Sequence, residues 1–389
     1  MEIPPVTSGR FSEDVIREAV EIFGDEAQAT LQSLAEPVHT YYPRCNTLKI
    51  SPDELISLLR GKGLEINQLE ALSEAIGIGV KGPFEITPTK SRVIVDKRTA
   101  ESVLQGANVY APGIVNCESM RMGNQVTIIS EIGEIVAVGE ACMNATDVLT
   151  FKKGLAVSVT RRRFHSPQIR ELDEFSKGFL YPQSMAAMVT ARVLDPKPDE
   201  TIVDMNCAPG GKLSHMSQLM RNQGRILGFD RNPRKLRQTR DTVTKLGCKN
   251  VVLAIHDSRY LSDDFPDLKS DRVLIDPPCS ALGLRPKAFE YTRKEKIEHL
   301  AAYQKQFVKA ASQIVTHGGI VVYSVCTFTL EECEKVVEFA VQECELNLVE
   351  QNPRVGGTGL GTFPNASLCQ RFHPDRHEIG YFIAKFVRD

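Results

Sequence analysis

The sequence predicts an α/β protein: a doubly wound, mostly parallel sheet, preceded by a compact β-barrel and a small N-terminal α/β segment. Three observations carry this. From about residue 166 onward, apolar β-branched runs alternate with segments of helical period, as in parallel sheets with crossover helices. From about residue 77, short β-branched runs are split by Gly and Pro turns, as in small barrels. Before that, helical patterns flank one short extended run. The segments are therefore read as 1–90, 91–165 and 166–389.

Taken in order, residues 11–35 read as helical, with Ser12 as N-cap and Val15, Ile16, Ala19, Val20 and Phe23 at helical spacing. Residues 44–50 read as a strand. Ser51-Pro52-Asp53-Glu54 then opens a helix with a cap, a proline in the first turn and acids near the dipole's positive end. In the second segment the strands are Val93–Val95, Val126–Ile129, Ile135–Val138 and Ala156–Val159, with a helix near Ala100–Gln105. In the third, strand signals fall at Thr201–Met205, Gly224–Phe229, Val251–Ile255, Arg272–Ile275, Ile320–Ser324 and Tyr381–Val387. Helical patterns fall near 211–222, 233–246, 299–316 and 330–342. The last strand is expected to pair antiparallel at one edge of the sheet.

Bulk composition narrows the classes. Hydrophobic residues make up 42% and charged residues 25% of 389, ordinary for a globular protein. No apolar run approaches the ~18 residues of a membrane span. Met1-Glu2-Ile3-Pro4-Pro5 lacks the basic start and apolar stretch of a signal peptide. Ten cysteines contain no Cys-x-x-Cys, which reads as reduced thiols in a cytoplasmic protein without a metal site. A net charge of −2 argues only weakly against nucleic acid, because a local basic stripe can hold phosphate on a neutral protein.

The strand ending at Asp204 runs into Asn206-Cys207-Ala208-Pro209-Gly210-Gly211-Lys212 and a helix. Glycines allow close backbone approach to a ligand, and a helix N-terminus offers free N–H donors. Asp230 ends the next strand, placed to bond ribose hydroxyls, and Asp257 follows the third, where an adenine edge could be read. The turn matches neither Gly-x-x-x-x-Gly-Lys-Ser/Thr nor Gly-x-Gly-x-x-Gly, so ATP and NAD fit less well. Two further strands end in thiols: Asp276-Pro277-Pro278-Cys279-Ser280 and Tyr323-Ser324-Val325-Cys326-Thr327. Open parallel sheets bind ligands at those ends, so the thiols can face one pocket. The other cysteines read as buried hydrophobes, and Cys207 and Cys333 lie nearer the pocket without an assigned role. Asp-Pro-Pro also occurs in amino-group methyltransferases before an aromatic residue; the thiol at 279 favours carbon as the acceptor.

On these motifs, residues 166–389 resemble the Sun (Fmu) family of S-adenosylmethionine-dependent RNA cytosine-5 methyltransferases. Gly106-Ala107-Asn108-Val109-Tyr110-Ala111-Pro112-Gly113-Ile114-Val115 resembles the signature of a PUA domain, a small RNA-binding barrel, and Arg44-Cys45-Asn46-Thr47 resembles the family's Arg-x-Asn-Thr element. The chain departs from the pattern at Asn206-Cys207, usually Cys-Ala, at Ala281, usually Gly, and at Cys333, usually Asn. The resemblance implies a Rossmann-like catalytic domain with S-adenosylmethionine held by Asn206, Cys207, Ala208, Pro209, Gly210, Gly211, Lys212, Asp230, Asp257 and Asp276. It implies Cys326 as nucleophile, Cys279 as the group assisting proton removal and product release, Asp276 on the cytosine, and Lys212 near base and donor. The two thiols are not ordered by sequence alone.

The domain order further resembles members acting on the tRNA acceptor stem, which implies cytosine 72 beside the CCA end as target and a monomer binding tRNA without metal or membrane. Ribosomal RNA as substrate, or a non-catalytic RNA-binding protein with a relic fold, are the alternatives. Residues 91–165 carry nine Lys/Arg against seven Asp/Glu. Lys152, Lys153, Arg161, Arg162 and Arg163 are the candidates for phosphate contact. Arg231, Arg234, Lys235, Arg237 and Arg240 form a second cluster, read first as a solvated helix face.

Overall fold

The computed structural model describes residues 9–117 and 120–389. The opening Met1–Pro5 therefore lies outside the described residues. The chain divides into two compact units: residues 1–41, 79–168 and 284–292 form one, and 42–78, 169–283 and 293–389 the other. The expected segment 1–90 is thus shared between them. Among the described residues no helix is long and apolar enough to cross a membrane.

The first unit holds a six-stranded sheet in the order Val109–Tyr110, Leu155–Arg162, Ile135–Ala141, Gln125–Ser130, Ser91–Val95, Ile114–Asn116. All its pairings are antiparallel except that of Ser91–Val95 with Gln125–Ser130. Helix Lys97–Leu104 is capped by the Asp96 carboxylate accepting from the Thr99 amide, and Ala100, Val103 and Leu104 join Val93, Val126, Val136 and Val157 in the core. Two further helices, Glu13–Phe23 and Ala27–Leu34, realise the 11–35 pattern, and Ser12 caps the first by accepting from the Val15 amide.

In the second unit, a nine-stranded sheet runs Val251–Ile255, Arg225–Asp230, Thr201–Asp204, Ser270–Ile275, Val315–Val325, Tyr381–Arg388, Gln370–Phe372, Gly357–Thr358, with Leu346–Leu348 also pairing with Tyr381–Arg388. The first five strands are parallel. The chain steps outward from Thr201–Asp204 to one side, then returns to Ser270–Ile275 on the other. That reversal opens a crevice at the carboxyl ends of these two strands, where an open sheet takes its ligand. Asp204 ends the first strand and Asp276 follows the second. Val203, Val273, Ile275, Val321, Tyr323 and Phe382 are buried in the core with Phe307, Ala311 and Ile314 of helix Lys294–Ile314.

The terminal strand is antiparallel, as expected, but interior rather than at an edge. Its extra neighbours escape sequence reading because each is three residues or fewer. Gln370-Arg371-Phe372 also looks polar, yet all three are buried, Arg371 against the Glu334 carboxylate. The expected strand 44–50 stops at Cys45. Asn46 turns the chain: its amide donates to the Gly178 and Leu246 carbonyls, both at 2.8 Å, and its oxygen accepts from the Leu48 amide. Helix Pro52–Gly61 carries the Ser51–Glu54 capping box. Helix Met185–Leu194 was not read from the sequence, because its near-continuous apolar run has no distinct period.

Candidate active site

The cofactor turn is held by its backbone. The Met205 amide donates to Leu274 O at 3.0 Å and the Cys207 amide to Phe229 O at 2.9 Å, so both neighbouring strands fix the loop. Asp204 accepts from the Asn206 amide at 3.2 Å. Gly210 sits at φ +102°, and a Cβ there would press on the Thr239 and Thr242 methyls at 3.2–3.3 Å. Glycine is required on both counts. Helix Gly211–Leu219 follows.

Arg44, the first residue of the Arg-x-Asn-Thr element, is fully buried behind this helix. Its guanidinium donates to Gly211 O, Gln183 Oε1 and Ser214 Oγ, each at 2.8 Å. Burial lowers its pKa to about 10, still charged at neutral pH. The bond to Gln183 fixes that amide's orientation.

A cavity of about 180 Å³ opens at the turn. Its wall brings together Asn206, Cys207, Ala208, Pro209, Gly211, Lys212 and Asp276 from the expected set. Tyr181 and Gln183 also line it, and sequence reasoning missed both. The signal was a polar Tyr-Pro-Gln-Ser step before a helix. Gly210, Asp230 and Asp257 do not line this cavity. Both oxygens of Asp257 accept from Arg259, at 3.0 and 2.7 Å, which holds the carboxylate in place at the strand end. Asp230 accepts from the Asn232 amide at 2.7 Å.

Lys212 Nζ lies 2.6 Å from Asp276 Oδ2. Ser324 Oγ donates to Asp276 Oδ1 at 3.3 Å and in turn accepts from the Tyr381 hydroxyl at 3.1 Å. Burial opposes the lysine's charge, but Asp276 and Tyr381 outweigh it and hold its pKa up. Asp204 behaves oppositely. Burial first, and the Asp276 charge second, push its carboxyl up to about 7.

The two thiols meet. Cys279 Sγ and Cys326 Sγ are 3.2 Å apart, both only partly buried. Their loops are tied together by Ser280 Oγ with Thr327 Oγ1 at 2.8 Å and by the Gly283 amide on Cys326 O at 3.1 Å. Glu332 accepts from the Ser280 amide at 2.8 Å and from Gln304 Nε2 at 2.9 Å, and Gln304 also donates to Pro278 O. Gln304 and Glu332 are buried polar residues that sequence did not single out, since nothing local marks them. The hydrogen bond to Cys326 is the largest cause raising the Cys279 pKa well above that of an ordinary thiol, followed by burial and the charge of Cys326. At this separation two thiolates would repel strongly, so one sulfur keeps its proton and donates to the other.

The basic cluster of the first unit divides. Lys152, Lys153 and Arg161 are exposed. Arg162 donates to Gly106 O, Val159 O and Asn108 Oδ1, and Arg163 pairs with Glu134 at 2.9 Å. These two are thus held by partners inside their unit while staying partly exposed.

Residues 191–387 match the family of the 16S rRNA methyltransferase RsmB/F. A Pyrococcus horikoshii tRNA (cytosine(72)-C(5))-methyltransferase is 40% identical over 94% of this chain and 93% of its own. The chain belongs to the RsmB/F methyltransferase family. Members take their methyl group from S-adenosylmethionine. Residues 91–162 match the PUA domain, which accounts for the six-stranded sheet. The human tRNA (cytosine(72)-C(5))-methyltransferase NSUN6 is 29% identical over 86% of this chain and 84% of its own. The crystal structure of NSun6 from P. horikoshii with SFG, an S-adenosylmethionine analogue, superposes with a TM-score of 0.91 at 39% identity, covering 97% of this chain and 98% of that one.

Proposed function

We propose that this protein methylates carbon 5 of cytosine 72 in the tRNA acceptor stem, beside the CCA end, acting as a cytoplasmic monomer without metal. The 3.2 Å thiol pair beside Asp276 carries the chemistry of this reading. The tRNA target rests on the cytosine-72 enzymes named above, similar to this chain along almost its whole length, PUA domain included.

The cavity suits the cofactor's methionyl end. Among its wall groups, Asn206 Oδ1 and Gln183 Nε2 are buried without a hydrogen-bond partner. One is an acceptor for an ammonium, the other a donor for a carboxylate, and a buried polar atom left alone is costly. Arg44 holds Gln183 in the orientation that leaves Nε2 available. S-adenosylmethionine supplies an electrophilic methyl on a sulfonium. Asp230, at the end of the adjacent strand, is the proposed ribose acceptor.

Carbon 5 of cytosine is a poor nucleophile until a thiolate adds at carbon 6. Cys326 supplies that thiolate, the role that the family resemblance implies for it, with the Cys279 S–H donating to it across 3.2 Å. Asp276, fixed by Lys212 and Ser324, meets ring N3 and the 4-amino group, where charge shifts during addition. Lys212 keeps that carboxylate in place near the base. Once Cys326 is bound to carbon 6, its sulfur no longer offers Cys279 a charged acceptor. The hydrogen bond to Cys326 and the charge of that sulfur then no longer hold the Cys279 proton, while burial still does. Once carbon 5 carries the methyl group, Cys279 gives its proton to solvent and its thiolate takes the carbon 5 proton, directly or through water; the electron pair left behind re-forms the 5,6 double bond and expels Cys326 as a thiolate, which releases the product. Lys152, Lys153 and Arg161 of the PUA domain are the proposed phosphate contacts.

Methyl transfer from labelled S-adenosylmethionine to total tRNA, with bisulfite mapping, tests the reading. A single 5-methylcytosine at position 72, lost in Cys326→Ala, is expected. Label in ribosomal RNA alone would move the substrate to the one named in the family's description, and no label in any RNA would leave an RNA-binding protein.

A further inference from the structure

Cys279 sits in a turn that its own sequence does not favour. Ala281, two residues on, has φ +57°, a left-handed backbone that a residue with a Cβ keeps only where its surroundings over-determine it. The surroundings here are hydrogen bonds. The peptide groups on both sides of Cys279 are held by buried side chains: the Pro278 carbonyl accepts from Gln304 Nε2 at 3.0 Å, and the Ser280 amide donates to Glu332 Oε1 at 2.8 Å. Gln304 Nε2 also donates to Glu332 Oε1 at 2.9 Å, which closes a ring from one side of the thiol to the other. Gln304 and Glu332 are both fully buried. The Tyr323 hydroxyl, on the strand that leads to Cys326, donates to Gln304 Oε1 at 2.9 Å. The amide therefore has one orientation, because reversed it would set oxygen against the Pro278 carbonyl and the Glu332 carboxylate. Glu332 Oε2 accepts from Thr329 Oγ1 at 3.2 Å, which ties the ring to the loop that follows Cys326.

We propose that Gln304 and Glu332 are positioning residues that hold the Cys279 sulfur where it takes the carbon 5 proton. The inference rests on the reading of Cys279 as the group that completes release, and adds what aims it. The two thiols differ in how the sheet supports them. Cys326 directly follows strand Val315–Val325, so the sheet itself places it. Cys279 stands beyond the end of strand Ser270–Ile275, in the strained turn, and needs a frame from elsewhere in the fold. The ring supplies that frame from helix Lys294–Ile314 and from the loop after Cys326. Both residues act through the backbone around the thiol. A base must lie within hydrogen-bond reach of the proton it removes, and a misplacement of about 1 Å can cost about 10²-fold. Attack by Cys326 and methyl transfer come before that step, so loss of the ring should fall on release.

The test uses the full chain, labelled S-adenosylmethionine and a tRNA transcript. Rapid quenching separates methyl transfer in the first turnover from decay of the covalent protein–RNA band. Gln304→Met keeps the side chain's length and removes its hydrogen bonds to Pro278, Glu332 and Tyr323. It is expected to slow decay of the band by about 10- to 10²-fold, with first-turnover methyl transfer falling far less. Glu332→Asp keeps the charge but withdraws the acceptor from the Ser280 amide. This milder variant should shift the same ratio in the same direction, and it decides the matter if Gln304→Met loses S-adenosylmethionine affinity, the control for folding. Combined with Cys279→Ala, Gln304→Met should slow release no further, because the group it aims is gone. Equal losses in both steps mean a merely structural role and overturn the inference, as does a further full slowing in the Cys279→Ala background. A band that accumulates with Cys279→Ala but decays at the wild-type rate with Gln304→Met also overturns it, and leaves the reading of Cys279 standing. Release at the wild-type rate by Cys279→Ala would instead strike that reading, and this inference with it.

Discussion

Ten cysteines share this chain, and two regions treat them in opposite ways. At the sheet's carboxyl end, Cys279 and Cys326 are partly exposed and touch each other. Under the same sheet, Cys333, Cys344 and Cys369 are packed in the core. Burial is the largest cause that pushes their pKa values up, and the buried Cys45, in strand Pro43–Cys45, is pushed up to about 12. For Cys279 the first cause is another sulfur rather than burial. Reactivity here is set by having a partner that can hold the proton. Depth in the fold only suppresses it.

The largest expected break in this comparison is Cys326→Ala. Turnover should fall by about four orders of magnitude or more, as when a covalent nucleophile is removed elsewhere, with RNA binding retained in a filter or anisotropy assay. Residual turnover near wild type would hand the nucleophile's role to Cys279. Next comes Asp276→Asn, which removes the carboxylate from the base and leaves the Lys212 ammonium without its ion pair. A loss of about 10²–10³ in kcat is expected from one misplaced electrostatic group. Cys279→Ala should slow release by about 10², the scale of a lost general base, and accumulate a covalent protein–RNA band on denaturing gels. Normal product release from that variant would remove Cys279 from the mechanism.

The sheet and its thiols were legible because the signals are local. A β-branched run ending in Asp-Pro-Pro-Cys or Ser-Val-Cys-Thr fixes a strand and its exit in adjacent residues. The parallel order, Gly210 and the Ser51 cap were legible for the same reason. What sequence hid depends on distant partners. The Arg-x-Asn-Thr element marks Arg44, but what it does shows only when Gly211 and Ser214, some 170 positions away, are seen to accept its protons. Arg162 and Arg163 read as phosphate ligands because Asn108 and Glu134 are remote in the chain. Asp257 stands at the expected strand end, and spacing does not report that Arg259, two residues on, folds back to pair with it. Gln304 and Glu332 stand on helical or turn positions with no motif around them.

A smaller effect tests the crevice's electrostatics. Asp204 is fully buried and its carboxyl is raised to about 7 by burial and then by Asp276. The ordinary value is near 4. Between those values the folded protein holds a proton that the unfolded chain has lost, so the Asp204 contribution to stability is full below about pH 4 and is lost as pH rises through about 7. Asp204→Asn should flatten that slope in denaturant unfolding followed across the window. An unchanged slope would mean that Asp204 ionises freely in the fold.

The smallest change should come from Cys333→Ala, and it bears most directly on the contrast between the two regions. Cys333 is fully buried, at the N-cap of helix Glu334–Glu343, with Sγ 3.9 Å from Thr327 O. It is thus only one contact away from the loop that carries Cys326. If sulfur mattered here through nearness to the site, turnover would fall. The geometry argues otherwise, since the Thr327 loop is held by Ser280, and Glu332 is held by Gln304 and Thr329, all of which survive the change. Removing one small buried group should cost about 1 kcal/mol in packing, read as a modest shift in denaturant midpoint, with kcat and KM for tRNA unmoved. A tenfold loss in kcat at unchanged stability would show that the core sulfur reaches the reaction, and the distinction drawn between partnered and merely buried thiols would fail.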